Sequence, residues 1–194
     1  MTSYGADFIP QAMLREMGFA FIGEAVNIHP SVILIGTENI SIGDRSRIDP
    51  HTILIATGGI RIGKHVHIGA GCNLAGGGGI VMDDFSGLSQ GVKIYSTSDD
   101  YSGESLTNPT VPPAYKKVLQ APVHVGRHAI IGSGAVILPG ADIAEGCSVG
   151  ALSLVRRPTE PWGIYAGTPA RRLKERRRDL LALEERLLRE QAEG

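Results

Sequence analysis

The sequence predicts an all-β rod: a parallel coil of very short strands wound as a triangular prism. Three observations carry this reading. Residues 125–155, "VGRHAIIGSGAVILPGADIAEGCSVGALSLV", place an aliphatic residue at every sixth position: Val125, Ile131, Ile137, Ile143, Val149 and Val155. The same hexad recurs earlier as four triplets, Ile22/Ile28/Leu34, Ile42/Ile48/Leu54, Ile62/Ile68/Leu74 and Met82/Leu88/Ile94, each starting 20 residues after the last. The chain is 42% hydrophobic but only 5% aromatic, with 26 Gly, so its interior must be filled by Ile, Val, Leu and Ala rather than by rings.

Six residues is neither the helical period nor strand alternation. A strand that turns every six residues, three times per circuit, stacks each circuit on the last at about 4.8 Å and lines the anchors into internal columns. Twenty is three hexads plus two, and the extra pair always falls at one corner, as "NI" before Ser41 and "GI" before Arg61 and Val81. The fourth residue after an anchor is usually small or β-branched, as an inner corner requires, and the residue after the anchor is often Gly. A β-sandwich would show alternation without fixed spacing. The general rule for parallel crossovers favours right-handed coils.

The elements follow in order. Residues 1–19, with "DFIPQAMLREMGF", read as a short helical cap over the open end, since an uncovered edge invites pairing. Residues 20–156 form the coil. Its period fails between Ile94 and Val125, which predicts a long loop, 96–122, extruded from the corner that carries the two-residue inserts. Loops of that length without structure of their own are usually functional. Residues 157–194 leave the coil through Pro158 and Pro161 and end in a helix, with Leu180, Leu183 and Leu187 at helical spacing on a face that packs on the prism or a neighbouring subunit.

Nineteen basic and twenty acidic residues argue against nucleic acid or a membrane surface as a general partner. Two cysteines, Cys72 and Cys147, make no disulfide or metal framework and fall at small inner corners, where no covalent intermediate is expected. The start lacks the features of a signal peptide and no apolar run reaches 18 residues, which points to a cytoplasmic protein.

With the hexads, the loop and then "WGIYAGTPARRLKE" in hand, the chain resembles the acyltransferases of the hexapeptide-repeat superfamily, over about residues 20–175. The likeness is to the galactoside and xenobiotic acetyltransferase branch and to sugar acetyltransferases of polysaccharide gene clusters. The resemblance implies a left-handed parallel β-helix and a homotrimer with active sites between neighbouring prisms. It implies acetyl-CoA or a related acyl-CoA as donor, and a sugar or nucleotide-linked sugar as acceptor, acylated on oxygen or nitrogen.

Carried over residue by residue, the resemblance sets Ser133 and Ala151 against the pantetheine arm and Arg156 and Arg157 at the end of the last coil. It sets Arg171 and Lys174 against the nucleotide phosphates, where guanidinium and ammonium groups suit the charge. "RRLKERRR" also reads as a solvated helix face. Where the branch carries a catalytic His, this chain has Asp99. A carboxylate is the weaker base, so Asp99 orients the acceptor or acts with a pKa raised by Asp100 beside it. An amine acceptor needs less help than a hydroxyl.

Among the six histidines, His67 is the preferred substitute base. It and Asn73 belong to the coil that runs into Gly76–Gly79, a corner whose missing side chains leave space for a ligand or for the folded-back loop. Tyr101 and Tyr115 of the loop are candidate sugar contacts or simple anchors. Two other classes stay open. A γ-carbonic-anhydrase-like metalloenzyme would need three His on one zinc, with His65, His67 and His128 as candidates. A trimeric scaffold without catalysis would need none of these groups.

Overall fold

Inward and outward side chains alternate along a strand, so an anchor buried at every sixth position forces the chain to turn between anchors. In the computed structural model, which describes residues 7–193, it turns three times per circuit. The first six residues of the expected cap, and Gly194, lie outside the described residues.

Three parallel sheets result. The first face holds Phe21–Ile22, Ile40–Ile42, Ile60–Ile62, Ile80–Met82, Val123–Val125 and Asp142–Ile143. The second holds Asn27–Ile28, Arg47–Ile48, His67–Ile68, Gly87–Leu88, Ile130–Ile131 and Ser148–Val149, and the third runs from Ile33–Ile35 to Leu154–Val155. Pairing is in register throughout, so Ile28, Ile48, Ile68, Leu88, Ile131 and Val149 form one internal column. Leu34, Leu54, Leu74, Ile94, Ile137 and Val155 form another. Beyond the first coil, where Ile22 and Leu34 are half-buried, every hexad anchor is buried. The two-residue inserts give the first face a second inward row, Ile40, Ile60, Ile80 and Val123, all buried.

The winding is the left-handed parallel β-helix that the resemblance implies, against the crossover rule. That rule describes strands joined by a unit that packs back over the sheet, and a six-residue turn contains none. At the corner between the first and second faces one residue per coil sits in the left-handed backbone region: Ala25, Arg45, His65, Phe85 and His128, with φ of 54–59°. Trp162 continues the row at 58°, above Gly146, where a Cβ would lie 2.4 Å from its ring. Each such residue costs about 1–2 kcal/mol. Ring stacking offsets part of it: centroids lie 4.7 Å apart for His65 and Phe85 and 5.4 Å for Phe85 and His128.

Helix α1, Gln11–Glu16, closes the N-terminal end, with Leu14 buried and the Ile9 amide donating to the Ile28 carbonyl. At the other end the structure corrects the sequence reading. The chain does not quit the coil at Pro158 and Pro161: Gly163–Gly167 adds a further parallel strand to the second face, and Tyr165 extends the column beyond Val149. Ala170–Glu175 then folds back antiparallel, so most of "RRLKERRR" is strand rather than helix face. Helix α2 spans only Leu180–Glu193.

The extruded loop is tied at its base by Thr97–Ser98 pairing antiparallel with Leu119–Gln120. The Gly76–Gly79 corner is filled by this base rather than open. The Gly78 amide donates to Ser96 Oγ at 2.8 Å, and Gln120 Nε2 to the Gly77 carbonyl at 2.7 Å. A Cβ on Gly78 would stand 2.4 Å from the Ser96 carbonyl oxygen and 3.0 Å from Ala121 backbone atoms. Gly78→Ala should therefore lose about 2 kcal/mol, seen as a melting temperature lower by about 5 °C.

On the first face His124 donates through Nδ1 to Asp142 at 2.9 Å and through Nε2 to Asp83 at 2.7 Å. Burial opposes its charge, but the two carboxylates outweigh it and raise its pKa above the usual 6.5. Because the folded pKa is the higher one, this pairing stabilises fully below pH 6.5 and is lost as pH rises through the folded value. The expected observation is an NMR titration of the His124 ring above 6.5, returning toward 6.5 in Asp83→Asn.

Candidate active site

Along the second face the outward positions run Asn27, Arg47, His67, Gly87, Ile130 and Ser148. Gly87 interrupts this row of side chains. Above the gap lies a groove of about 690 Å³, a size that suits small-molecule ligands. One wall is the corner between the second and third faces, with Ser89, Gln90 and Ser133; the other is the leucine face of α2, Leu180, Leu183 and Leu187. The mouth nearer the N-terminus carries Asp49, His65 and His67. His67 shares a hydrogen bond of 2.8 Å with Asp49, which also accepts from Arg47 Nε at 2.6 Å.

A carboxylate anchors helix α2 over the groove. Glu184 accepts from His128 Nε2 at 2.8 Å and pairs with Arg127, which also reaches Asp84 at 3.1 Å. His128 is only 7% exposed. Burial, with the Arg127 and Arg176 guanidinium groups, keeps its pKa below the ordinary value, so a neutral ring donates to Glu184. Arg176 secures the start of the helix by donating to the carbonyls of His128 at 2.7 Å and Gly146 at 2.9 Å.

The other residues singled out in the sequence fall into two further regions. Asp99, Asp100 and Tyr101 line a cleft of about 390 Å³ in the loop, with Lys117. The pKa of the Asp100 carboxyl lies below the ordinary carboxylate value. Hydrogen bonds from the side chain and amide of Ser102, and then of Ser105, hold it down to about 2, so its carboxylate organises the loop. Asp99 Oδ2 accepts from the Asn108 amide at 3.2 Å. Tyr101 is 93% exposed and Tyr115 is also exposed, so neither ring is packed inside the loop. Asn73 stands on the third face, with Oδ1 buried and unpartnered among the described residues.

At the C-terminal end Arg156, Arg157 and Arg171 converge with Arg172 around a cleft of about 160 Å³. Lys174 is not among the residues lining it, and pairs across the hairpin with Ile164. Ala151 is exposed on the corner one coil beyond Ser133, and the Leu152 amide bonds the Ser133 carbonyl. Within one chain, therefore, His67 and Ser133 share the groove, the arginines share the distal cleft, and Asp99 stands apart from both.

Sequence reasoning missed Gly87, Phe85, Arg172 and Glu184. Gly87 was visible as the one outward position without a side chain, and Glu184 as a carboxylate set among leucines. Among the described residues no cluster of three or more His, Cys, Asp or Glu is arranged to hold a metal ion, and no helix is long and apolar enough to cross a membrane.

A prism of stacked hexads with a ligand-sized groove and a cationic cleft suits a transferase that handles an anionic donor, and comparison with known proteins establishes the class. The family model for bacterial transferase hexapeptide (six repeats) matches residues 120–157. The chain is 38% identical over 178 residues to dTDP-4-amino-4,6-dideoxy-D-glucose acyltransferase from Escherichia coli, covering 91% of this chain and 93% of that protein. The crystal structure of AntD, an N-acyltransferase from Bacillus cereus, in complex with dTDP and 3-hydroxybutyryl-CoA is 38% identical, with a TM-score of 0.93 over 95% of this chain and 98% of that one. A variant of AntD in complex with dTDP-4-amino-4,6-dideoxyglucose and coenzyme A is 37% identical, with a TM-score of 0.92 over the same shares. The likeness thus extends well beyond the repeats. The chain belongs to the hexapeptide-repeat acyltransferase superfamily, and it is an acyl-CoA-dependent sugar acyltransferase.

Removing the Glu184 carboxylate leaves His128 Nε2 without its partner and Arg127 with Asp84 as its remaining carboxylate. Glu184→Ala should cost about 2 kcal/mol, a buried-pair penalty reduced by the partial exposure of Arg127. Hydrogen exchange should quicken in α2 while the coil amides stay protected.

Proposed function

We propose that the protein transfers an acyl group from acyl-CoA to the amino nitrogen of a dTDP-linked 4-amino-4,6-dideoxy sugar. The observation that carries this is likeness along nearly the whole chain to AntD, whose complexes hold dTDP-4-amino-4,6-dideoxyglucose and coenzyme A. An amine also suits what this chain offers. Asp99 stands where the related acetyltransferases carry a His, and a free amine near pH 8 needs little help from a base.

The nitrogen lone pair attacks the thioester carbonyl, the C–N bond forms and the C–S bond breaks. The proton lost by nitrogen ends on the coenzyme A sulfur. In this reading Asp99 receives that proton in transit and orients the amine, while backbone N–H groups stabilise the developing oxyanion. Ser133 and Ala151 flank the pantetheine arm, and Arg156, Arg157 and Arg171 bind the nucleotide phosphates of coenzyme A, with Lys174 adding charge from the adjoining strand. His67 lines the acceptor end of the groove. Asn73, Tyr101 and Tyr115 remain acceptor contacts, offered from the third face and the loop.

This reading also proposes a homotrimer. The loop leaves the corner between the third and first faces, whereas the groove lies on the second face. A three-fold assembly laying the loop of one chain against the groove of the next would bring Asp99 to Ser89 and Ser133.

Thiol release from acetyl-CoA and 3-hydroxybutyryl-CoA tests the proposal. Turnover is expected with dTDP-4-amino-4,6-dideoxyglucose and not with its 4-hydroxy counterpart, and Asp99→Ala should lower kcat by about 10²-fold. Turnover with the hydroxy sugar alone would reverse the assignment, and release with neither would overturn this choice of acceptor.

A further inference from the structure

A nucleotide sugar and an acyl-CoA each carry a diphosphate, so a site that joins them needs two cationic regions, far enough apart to keep the two anions from sharing one. The distal arginine cleft, around Arg156, Arg157, Arg171 and Arg172, supplies one. The second lies at the mouth of the groove nearer the N-terminus. There Arg45, Arg47, His65 and His67 surround a separate pocket of about 320 Å³, and His65 and His67 line both this pocket and the groove.

We infer that the Arg45/Arg47 pocket binds the diphosphate of the nucleotide-sugar acceptor, so that acceptor and donor enter one groove from opposite ends; this rests on the acyl-transfer reading above. Arg45 makes no salt bridge among the described residues and is exposed. Asp49 engages Arg47 only through Nε, leaving both terminal amino groups without a hydrogen-bond partner among the described residues. Those groups are the fork that binds phosphate oxygens in pairs. The Arg47 guanidinium lies 5.2 Å from the centroid of the Phe8 ring, which restrains it further. Among the described residues Asp49 is the one carboxylate lining this mouth, and it is already bonded to Arg47 and His67, while Asp44 beside Arg45 is paired with Lys64.

The spacing agrees. Arg47, His67 and Gly87 occupy one register position on successive coils. A diphosphate at Arg47 is thus two strand spacings, about 10 Å, from the gap at Gly87. The sugar attached to it falls in that gap, beside Ser89 and Gln90. Ser133, which is to flank the donor arm, stands one coil further along. The amine and the thioester then meet at mid-groove, each held by charge at its own end. Coenzyme A, the other diphosphate of the reaction, is the rival occupant of the Arg45/Arg47 pocket.

Binding of dTDP and of coenzyme A, each measured alone by calorimetry, separates the two. Arg45→Gly combined with Arg47→Gln removes both charges, and Gly suits the left-handed backbone at position 45. The double variant should weaken dTDP at least tenfold and leave coenzyme A within twofold. Arg156→Gln with Arg171→Gln should do the reverse. Unchanged dTDP affinity in the first variant overturns the inference, as does a selective loss of coenzyme A or an equal loss of both ligands. A wild-type protein that binds coenzyme A but no dTDP overturns the acceptor reading itself, which is a separate failure.

Discussion

The structure depends on one constraint: an aliphatic side chain directed inward at every sixth residue and stacked on its equivalents one coil above and below. Each column residue touches chemically similar neighbours along the axis, so burial of Ile, Leu and Val fixes strand register and corner position together. Register then propagates to the outside. Arg47, His67 and Gly87 are aligned because Ile48, Ile68 and Leu88 are aligned behind them. The groove is thus a by-product of core packing, opened where one outward position lacks a side chain.

The corners add a second order of organisation. The stacked row of His65, Phe85, His128 and Trp162 occupies backbone conformations unfavourable for residues with side chains, and the rings recover part of that energy from one another. His128 belongs to this row and also meets Glu184. The helix that walls the groove is therefore fastened to this stacked row. The loop is arranged differently. Its interior is organised by hydrogen bonds to Asp99 and Asp100, and its base by contact with glycines that leave no room for side chains.

Much of the fold was legible because the hexad is a strict signal: buried anchors, small corners and the place of the interruption all follow from period alone. Handedness was not, since both hands bury the same residues. The strand Gly163–Gly167 was hidden because Tyr165 is not aliphatic and two prolines precede it. At the site, charge was readable and juxtaposition was not. The cluster around Arg156, Arg157 and Arg171 was marked by sequence, whereas Glu184 meets His128 across 56 residues, a pairing that no local pattern reveals. His67 was singled out for its nearness to the glycine corner, yet it lies on the second face, and its neighbours are Asp49 and Arg47.

Uniform stacking also limits how such a molecule diversifies. Point substitutions can alter what lines the groove but not the distance between its two ends, which is set by a count of layers. A longer substrate would call for an entire extra layer, about 20 residues gained in a single event, and a shorter one for the loss of a layer. Reach in this architecture is therefore inherited in whole steps, while selectivity is adjusted residue by residue.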